Sequence, residues 1–234
     1  MVTEGTLHPF GEDIWLADGP VVAVAGFRYP TRMAVMRLPS GALFLWSPIG
    51  LSDGLRGAVA ALGEVRHLVA PNTLHDRFLG EWQHAFPQAT LHAPPGLAAR
   101  HPDLRFGRDL ADSPGFAWDG QIDQVGIPGN RIATELAFFH RPSRTLLFTD
   151  LIQHLPPGWF TGWRAIVARL DGMTAPEPRV PRKFRYAFSD RPAARAAMRR
   201  VLAWPAERLV IAHGPPIAHD AHAVVARAFR WLGV

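Results

Sequence analysis

The sequence predicts an α/β protein, and three observations predict it. Close-spaced, short apolar strands open the chain. A strand–helix–strand–helix–strand run comes next, which implies parallel pairing. A helix–strand–helix run closes it. The 234 residues suit one large α/β domain or two small ones. With no internal repeat and no low-complexity linker, a single domain over 1–234 is the economical reading.

The strands expected first are Ile14–Ala17, Val21–Phe27, Arg32–Leu38 and Ala42–Ser47, separated by Gly19-Pro20, Tyr29-Pro30 and Pro39-Ser40-Gly41. Ser52 caps an expected helix over Asp53–Leu62 that stops at Gly63. A buried strand at His67–Ala70 is broken by Pro71-Asn72. Phe78, Leu79, Trp82, Ala85 and Phe86 keep helical spacing over about Asp76–Phe86. Strand Ala89–Ala93 ends at Pro94-Pro95-Gly96, and residues 98–120 read as loop. Strands resume at Gln121–Ile127, Thr134–His140 and Thr145–Thr149, the last two joined as a hairpin through Arg141–Arg144. One helix is expected at Trp163–Leu170. Another runs from a Ser189 or Asp190 cap to about Trp204, with Pro192 in its first turn. Strand Arg208–Ala212 and helix Ala221–Leu232 complete the order.

Composition narrows the chemistry. Hydrophobic residues make up 48% and charged residues 19%, the profile of a globular chain. No stretch approaches the roughly 18 apolar residues of a membrane span, and no basic-then-apolar leader opens the sequence, so a cytoplasmic protein is expected. The absence of cysteine excludes disulfides, thiolate metal sites and cysteine nucleophiles. The net charge of +5 is nearly all arginine, scattered rather than gathered into a basic stripe, so no nucleic-acid partner is expected. Trp159, Phe160 and Trp163 crowd a Pro/Gly-rich segment. It reads as a substrate lid, a dimer surface, a membrane-touching loop, or aromatics folded over a core edge.

Ligand sites in α/β sheets collect at the carboxyl ends of strands. Four polar positions fall at or in such strands: the Asn72–Asp76 segment, Glu135, Asp150 and His213. A carboxylate in an apolar strand needs a partner or a metal, and histidine is the usual companion in zinc, iron or manganese sites. Each residue also has a plainer use. Asp150 can cap a turn, His213 can bond a backbone carbonyl, and Glu135 can pair with Arg131 or Arg144.

Thr145–Asp150 resembles the metallo-β-lactamase superfamily strand that ends in a metal-bridging aspartate, and Ile211-Ala212-His213-Gly214 resembles its last strand with a ligand histidine before glycine. Val69–Arg77 falls where that superfamily carries a His-x-His-x-Asp-His signature. The closer resemblance is to an uncharacterised branch of the superfamily, a domain of unknown function. It is carried by Arg32–Val35, Ser47–Ile49, Ala70–His75, Glu81-Trp82 with Phe86–Ala89, Glu135–His140, Ser143–Asp150 and His213-Gly214. The resemblance implies a four-layer αββα sandwich. It also implies a degenerate centre: His75-Asp76 is what remains of the signature, Asn72 takes the place of one ligand, and Asn130 that of another.

The resemblance further implies a metal-dependent hydrolase of an ester, thioester, lactone or phosphoester. His75, Asp150 and His213 would be ligands of one zinc, iron or manganese ion, and Asp76 or Glu135 the general base. A metal-free ligand-binding scaffold and a non-haem iron redox protein stand as alternatives. The expected partner is a small-molecule substrate or ligand, and a homodimer is left open.

Overall fold

The computed structural model describes residues 5–110 and 115–234. Among these, strands β1 (Leu7–Gly11), β2 (Ile14–Val24), β3 (Phe27–Arg37), β4 (Ala42–Trp46), β5 (Glu64–Val69) and β6 (Thr90–His92) form one sheet in that spatial order. Strands β7 (Ile122–Ile127), β8 (Glu135–His140), β9 (Thr145–Gln153) and β10 (Arg208–His213) form a second, ordered β10-β9-β8-β7. The first sheet begins as an antiparallel meander and turns parallel at β4–β5–β6. In the second, only β9–β10 is parallel. The helices are α1 (Asp53–Leu62), α2 (Leu79–Ala85), α3 (Gly162–Asp171), α4 (Arg182–Ala187), α5 (Arg191–Leu202) and α6 (Ala221–Phe229).

The layering comes from strands that are apolar on both faces. In β4, Phe44 and Trp46 point into the gap between the sheets, where they join Phe138, Leu147 and Val210 of the second sheet. Leu43 and Leu45 point the other way, onto Leu55 and Val59 of α1 and Leu79 and Trp82 of α2. Strand β9 divides likewise. Leu147 enters the central layer, while Leu146 and Phe148 pack against Met198 and Val201 of α5 and Val225 and Phe229 of α6. The result is helices, sheet, sheet, helices, as expected. Burying a side chain such as Phe44 or Phe138 stabilises by roughly 1.5–3 kcal/mol.

Helix α1 forms as expected: the Ser52 hydroxyl accepts from the Leu55 amide at 3.2 Å, and Gly63 ends it. Asp190 caps α5 through the Ala193 amide at 2.9 Å. The prolines at 20 and 30 do not end strands. They sit where the β2–β3 register shifts between Gly19 and Val22, a bulge whose unpaired positions need no N–H. Four expected strands are therefore three, two of them a long hairpin. Strand β1 and helix α4 are additions to the expected order. Asp150 lies inside β9, which runs three residues beyond it.

Candidate metal centre

Strand β9 brings Asp150 to the inner end of a cleft, and β8 holds it there. Glu135 is fully buried. Its Oε1 accepts from the Thr149 amide at 2.8 Å, and its Oε2 from Asp150 and Leu151 at 2.9 Å each. Burial pushes the Glu135 carboxyl up to about 7, with the Asp150 charge acting in the same direction and the three backbone N–H groups opposing both. Arg131 and Arg144 are not its partners here; three backbone amides are.

The loop after β5 supplies the second group. Asn72, fully buried, donates from Nδ2 to Thr149 Oγ1 at 2.8 Å and to Asp150 Oδ2 at 2.6 Å. Its Oδ1 accepts from the Leu74 and His75 amides at 2.8 and 3.0 Å. This Asx turn delivers His75 to Asp150. On its other side, His75 Nδ1 is hydrogen-bonded to Ser47 Oγ at 2.8 Å. Ser47 follows β4 at φ 54°, in the left-handed region that few side-chain-bearing residues adopt. That turn aims its hydroxyl at the imidazole.

The third group, His213, ends β10. Its Nδ1 donates to the Pro30 carbonyl at 2.7 Å, which leaves Nε2 without a proton and facing Asp150 when the ring is neutral. Arg32 of β3 fixes the flanks: its Nη1 donates to the carbonyls of Ile211, at 2.8 Å, and Gly214, and its Nη2 pairs with Asp18 at 2.7 Å. Residue 214 must be glycine, because a Cβ there would meet the His154 carbonyl oxygen at 2.7 Å.

His75 Nε2 thus stands 3.3 Å from Asp150 Oδ2, and His213 Nε2 stands 3.4 Å from Asp150 Oδ1. All three donor atoms lie within 4.8 Å of one another. Burial alone would raise the Asp150 carboxyl, but His213 and His75 hold it well below the usual carboxylate range. A direct imidazolium–carboxylate hydrogen bond would be shorter, about 2.7–2.9 Å. Two imidazoles and a carboxylate, with one ligand atom from each within 4.8 Å of the others, are a donor set that fits one divalent ion.

No family model and no curated protein matches the chain. Solved structures do. Over 100% of this chain, a metal-soaked Flv1 flavodiiron core from Synechocystis sp. PCC6803 superposes at a TM-score of 0.67 with 14% identity. The DIM-1 metallo-β-lactamase exposed to ceftazidime superposes at 0.64 with 16% identity, also over 100% of this chain and over 98% of its own. The chain has the metallo-β-lactamase fold. It spans 62% of the flavodiiron core's length. The FIM-1 metallo-β-lactamase from Pseudomonas aeruginosa in its mono-zinc form shares the fold over 100% of this chain and 98% of its own, at 0.59 and 14% identity.

Within the metallo-β-lactamase fold, the residues named from sequence separate into two groups. Asn72, His75, Glu135, Asp150 and His213 converge. Asp76 lines the same cleft, but its Oδ2 is held by Arg100 Nη2 at 2.7 Å and His101 Nε2 at 2.9 Å. Asn130 serves the backbone, donating to the Phe184 carbonyl at 3.0 Å and accepting from the Ile132 amide. Sequence reasoning missed Arg32, Thr149 and Gln153. An arginine in an apolar strand, weighed against the cost of burying it unpaired, is the available signal for the first.

The centre opens into a cavity of about 1020 Å³. Its walls come from the β2–β3 hairpin, Leu74 and Phe78, α3 and α4, and its lining does not include Glu135. Among the described residues, no helix is long and apolar enough to cross a membrane.

Proposed function

We propose that this chain is a metal-dependent hydrolase with one divalent ion held by His75, Asp150 and His213. The observation that carries the reading is the convergence of three donor groups, one ligand atom from each within 4.8 Å of the others, in a cleft that opens to a large cavity. When bound, the ion supplies a hydroxide from water near neutral pH and polarises a carbonyl or phosphoryl oxygen.

The chain's own residues do the rest. Pro30 fixes the His213 tautomer so that Nε2 keeps its lone pair. Glu135 is a positioning residue: by gathering the amides of 149–151 it sets the direction of the Asp150 side chain. Asn72 binds Asp150 and the His75 backbone together. Of the two carboxylates considered for proton transfer, Asp76 lines the cavity and takes that role, with His101 as the group through which its proton is exchanged and Arg100 holding the carboxylate in place.

A second reading, a metal-free scaffold, is favoured by Asn72, whose amide already occupies Asp150 Oδ2 at 2.6 Å. Elemental analysis of protein purified without added metal decides between them. The hydrolase reading expects about one equivalent of zinc, iron or manganese per chain, lost on chelation. Absence of all three, with melting unaffected by chelator, sinks it. Iron as the bound ion turns the assignment toward redox chemistry.

A further inference from the structure

Helix α3 carries Trp163, Ile166, Val167 and Leu170 at helical spacing, yet that stripe is not packed on the core: the four are 58%, 56%, 40% and 57% exposed. Val167 and Leu170 instead face the cavity above the His75–Asp150–His213 cluster, opposite Val24 and Phe27 of the β2–β3 hairpin. The cavity therefore has two apolar walls and a polar floor.

Most of the charged groups along it are already engaged with each other. Lys183 Nζ lies 3.3 Å from Asp171 and donates to the Tyr29 hydroxyl at 3.2 Å, and Arg100 holds Asp76. Arg77 and Arg182 line it as well, outside these pairs. One polar group is different. Gln153, at the end of β9 and in register with His213, lines the cavity and is 1% exposed, and neither its amide nitrogen nor its amide oxygen has a hydrogen-bond partner. An unpaired buried amide is costly, and such groups in native proteins call for an explanation.

We infer that the cavity binds an ester or thioester of an unbranched acyl chain, the chain lying between α3 and the β2–β3 hairpin and the acyl carbonyl oxygen accepting from Gln153 Nε2 once that side chain turns out of its buried position toward the cavity. The inference rests on the hydrolase reading for its chemistry. Water adds to the carbonyl carbon, the bond from that carbon to the ester oxygen or thioester sulfur breaks, and a carboxylic acid and an alcohol or thiol leave. The proton lost by water ends on the leaving group, and nothing is oxidised or reduced. A volume of about 1020 Å³ stands at the upper end of the roughly 300–1,000 Å³ usual for ligand pockets, which suits a long apolar chain.

Two measurements on the zinc-loaded, full-length protein test this. The first is fluorescence titration with cis-parinaric acid, an unbranched fatty acid, with dodecanoate and acetate as competitors. The second is a kcat/KM series over p-nitrophenyl esters from acetate to dodecanoate, repeated with S-acyl thioesters to identify the leaving atom. The expected result is parinarate binding displaced by dodecanoate and not by acetate, and kcat/KM rising at least ~10-fold along the series. Leu170→Glu should weaken parinarate binding by about 10-fold, and Gln153→Met should lower kcat on the dodecanoyl ester by about 100-fold. Saturable parinarate binding without cleavage of any ester supports the acyl-chain site and removes the hydrolase reading. Cleavage of acetate with a flat chain-length profile and no parinarate binding overturns the acyl-chain site and keeps the hydrolase. The unsubstituted protein alone distinguishes these, so a variant that fails to fold leaves the test intact.

Discussion

The main-chain carbonyl of Pro30 accepts a 2.7 Å hydrogen bond from Nδ1 of His213. A carbonyl can only accept, so a proton is on Nδ1, and when the ring is neutral Nε2 carries the lone pair that faces Asp150. The sequence leaves two uses open for His213, ligation or a backbone hydrogen bond. The geometry lets one ring do both, with one nitrogen for each.

His213→Ala removes a donor atom together with the hydrogen bond that the Pro30 carbonyl accepts. Metal content should fall from about one equivalent to a small fraction. Unsubstituted protein should lose melting temperature on chelation, because a ligand held only by the native state at ~100 times its Kd contributes about 2.7 kcal/mol. The variant should show little chelator shift. An equal shift in both proteins would remove His213 from the ligand set.

Asn72→Ala deletes four hydrogen bonds at once, two donated and two accepted, inside a fully buried pocket. Stability by urea unfolding should drop by about 2–4 kcal/mol. Any bound metal should be held roughly 10–100-fold more weakly, the usual effect of removing a group that orients a ligand. A stability loss with unchanged metal affinity would confine Asn72 to folding.

Legibility in the sequence differs element by element. The α1 boundaries and the β8–β9 hairpin come from local chemistry, a Ser cap with a closing Gly and a four-residue turn, and local chemistry is what a sequence displays. The β2–β3 hairpin is hidden because Pro20 and Pro30 look like strand ends one at a time. Only their opposition across a shared bulge makes them tolerable. His75, Asp150 and His213 are visible as polar groups at strand ends. Ser47, Arg32 and Gln153 owe their roles to partners 28, 179 and 60 positions away in the chain, His75, Ile211 and His213, which no spacing rule brings together.

His140 and His67 predict a pH dependence away from the centre. His140 is fully buried, its Nδ1 hydrogen-bonded to Ser143 Oγ at 2.7 Å and its Nε2 without a partner. Burial pushes its pKa down to about 4, against a small opposing pull from Asp13. Burial likewise takes His67 to about 4, helped by the positive charges of His92 and Arg66. An unfolded histidine titrates near 6.5. Between these values the unfolded chain binds protons that the native chain refuses, so stability should fall as pH drops from about 6.5 to about 4 and be unaffected by these groups above 6.5. The His140 share is up to ~3 kcal/mol, and His67, being partly exposed, contributes less. Urea midpoints across this range should fall less steeply for His140→Leu than for the unsubstituted protein. Parallel curves would show that His140 is protonated in the fold.

Gln153 sets stability against function. Its amide is buried beside His213 with neither end satisfied, and a lone buried polar group of that kind costs about 1–3 kcal/mol. Gln153→Met keeps the length of the side chain and removes the cost. The variant should unfold at higher urea, by about 1–2 kcal/mol, while its turnover of acyl esters falls. A residue retained only for packing would give the opposite pairing, lower stability with turnover intact. Melting and kinetics on the same preparation separate the two. A destabilised, fully active Gln153→Met would mean that the amide has a partner in solution and leaves the substrate without its anchor.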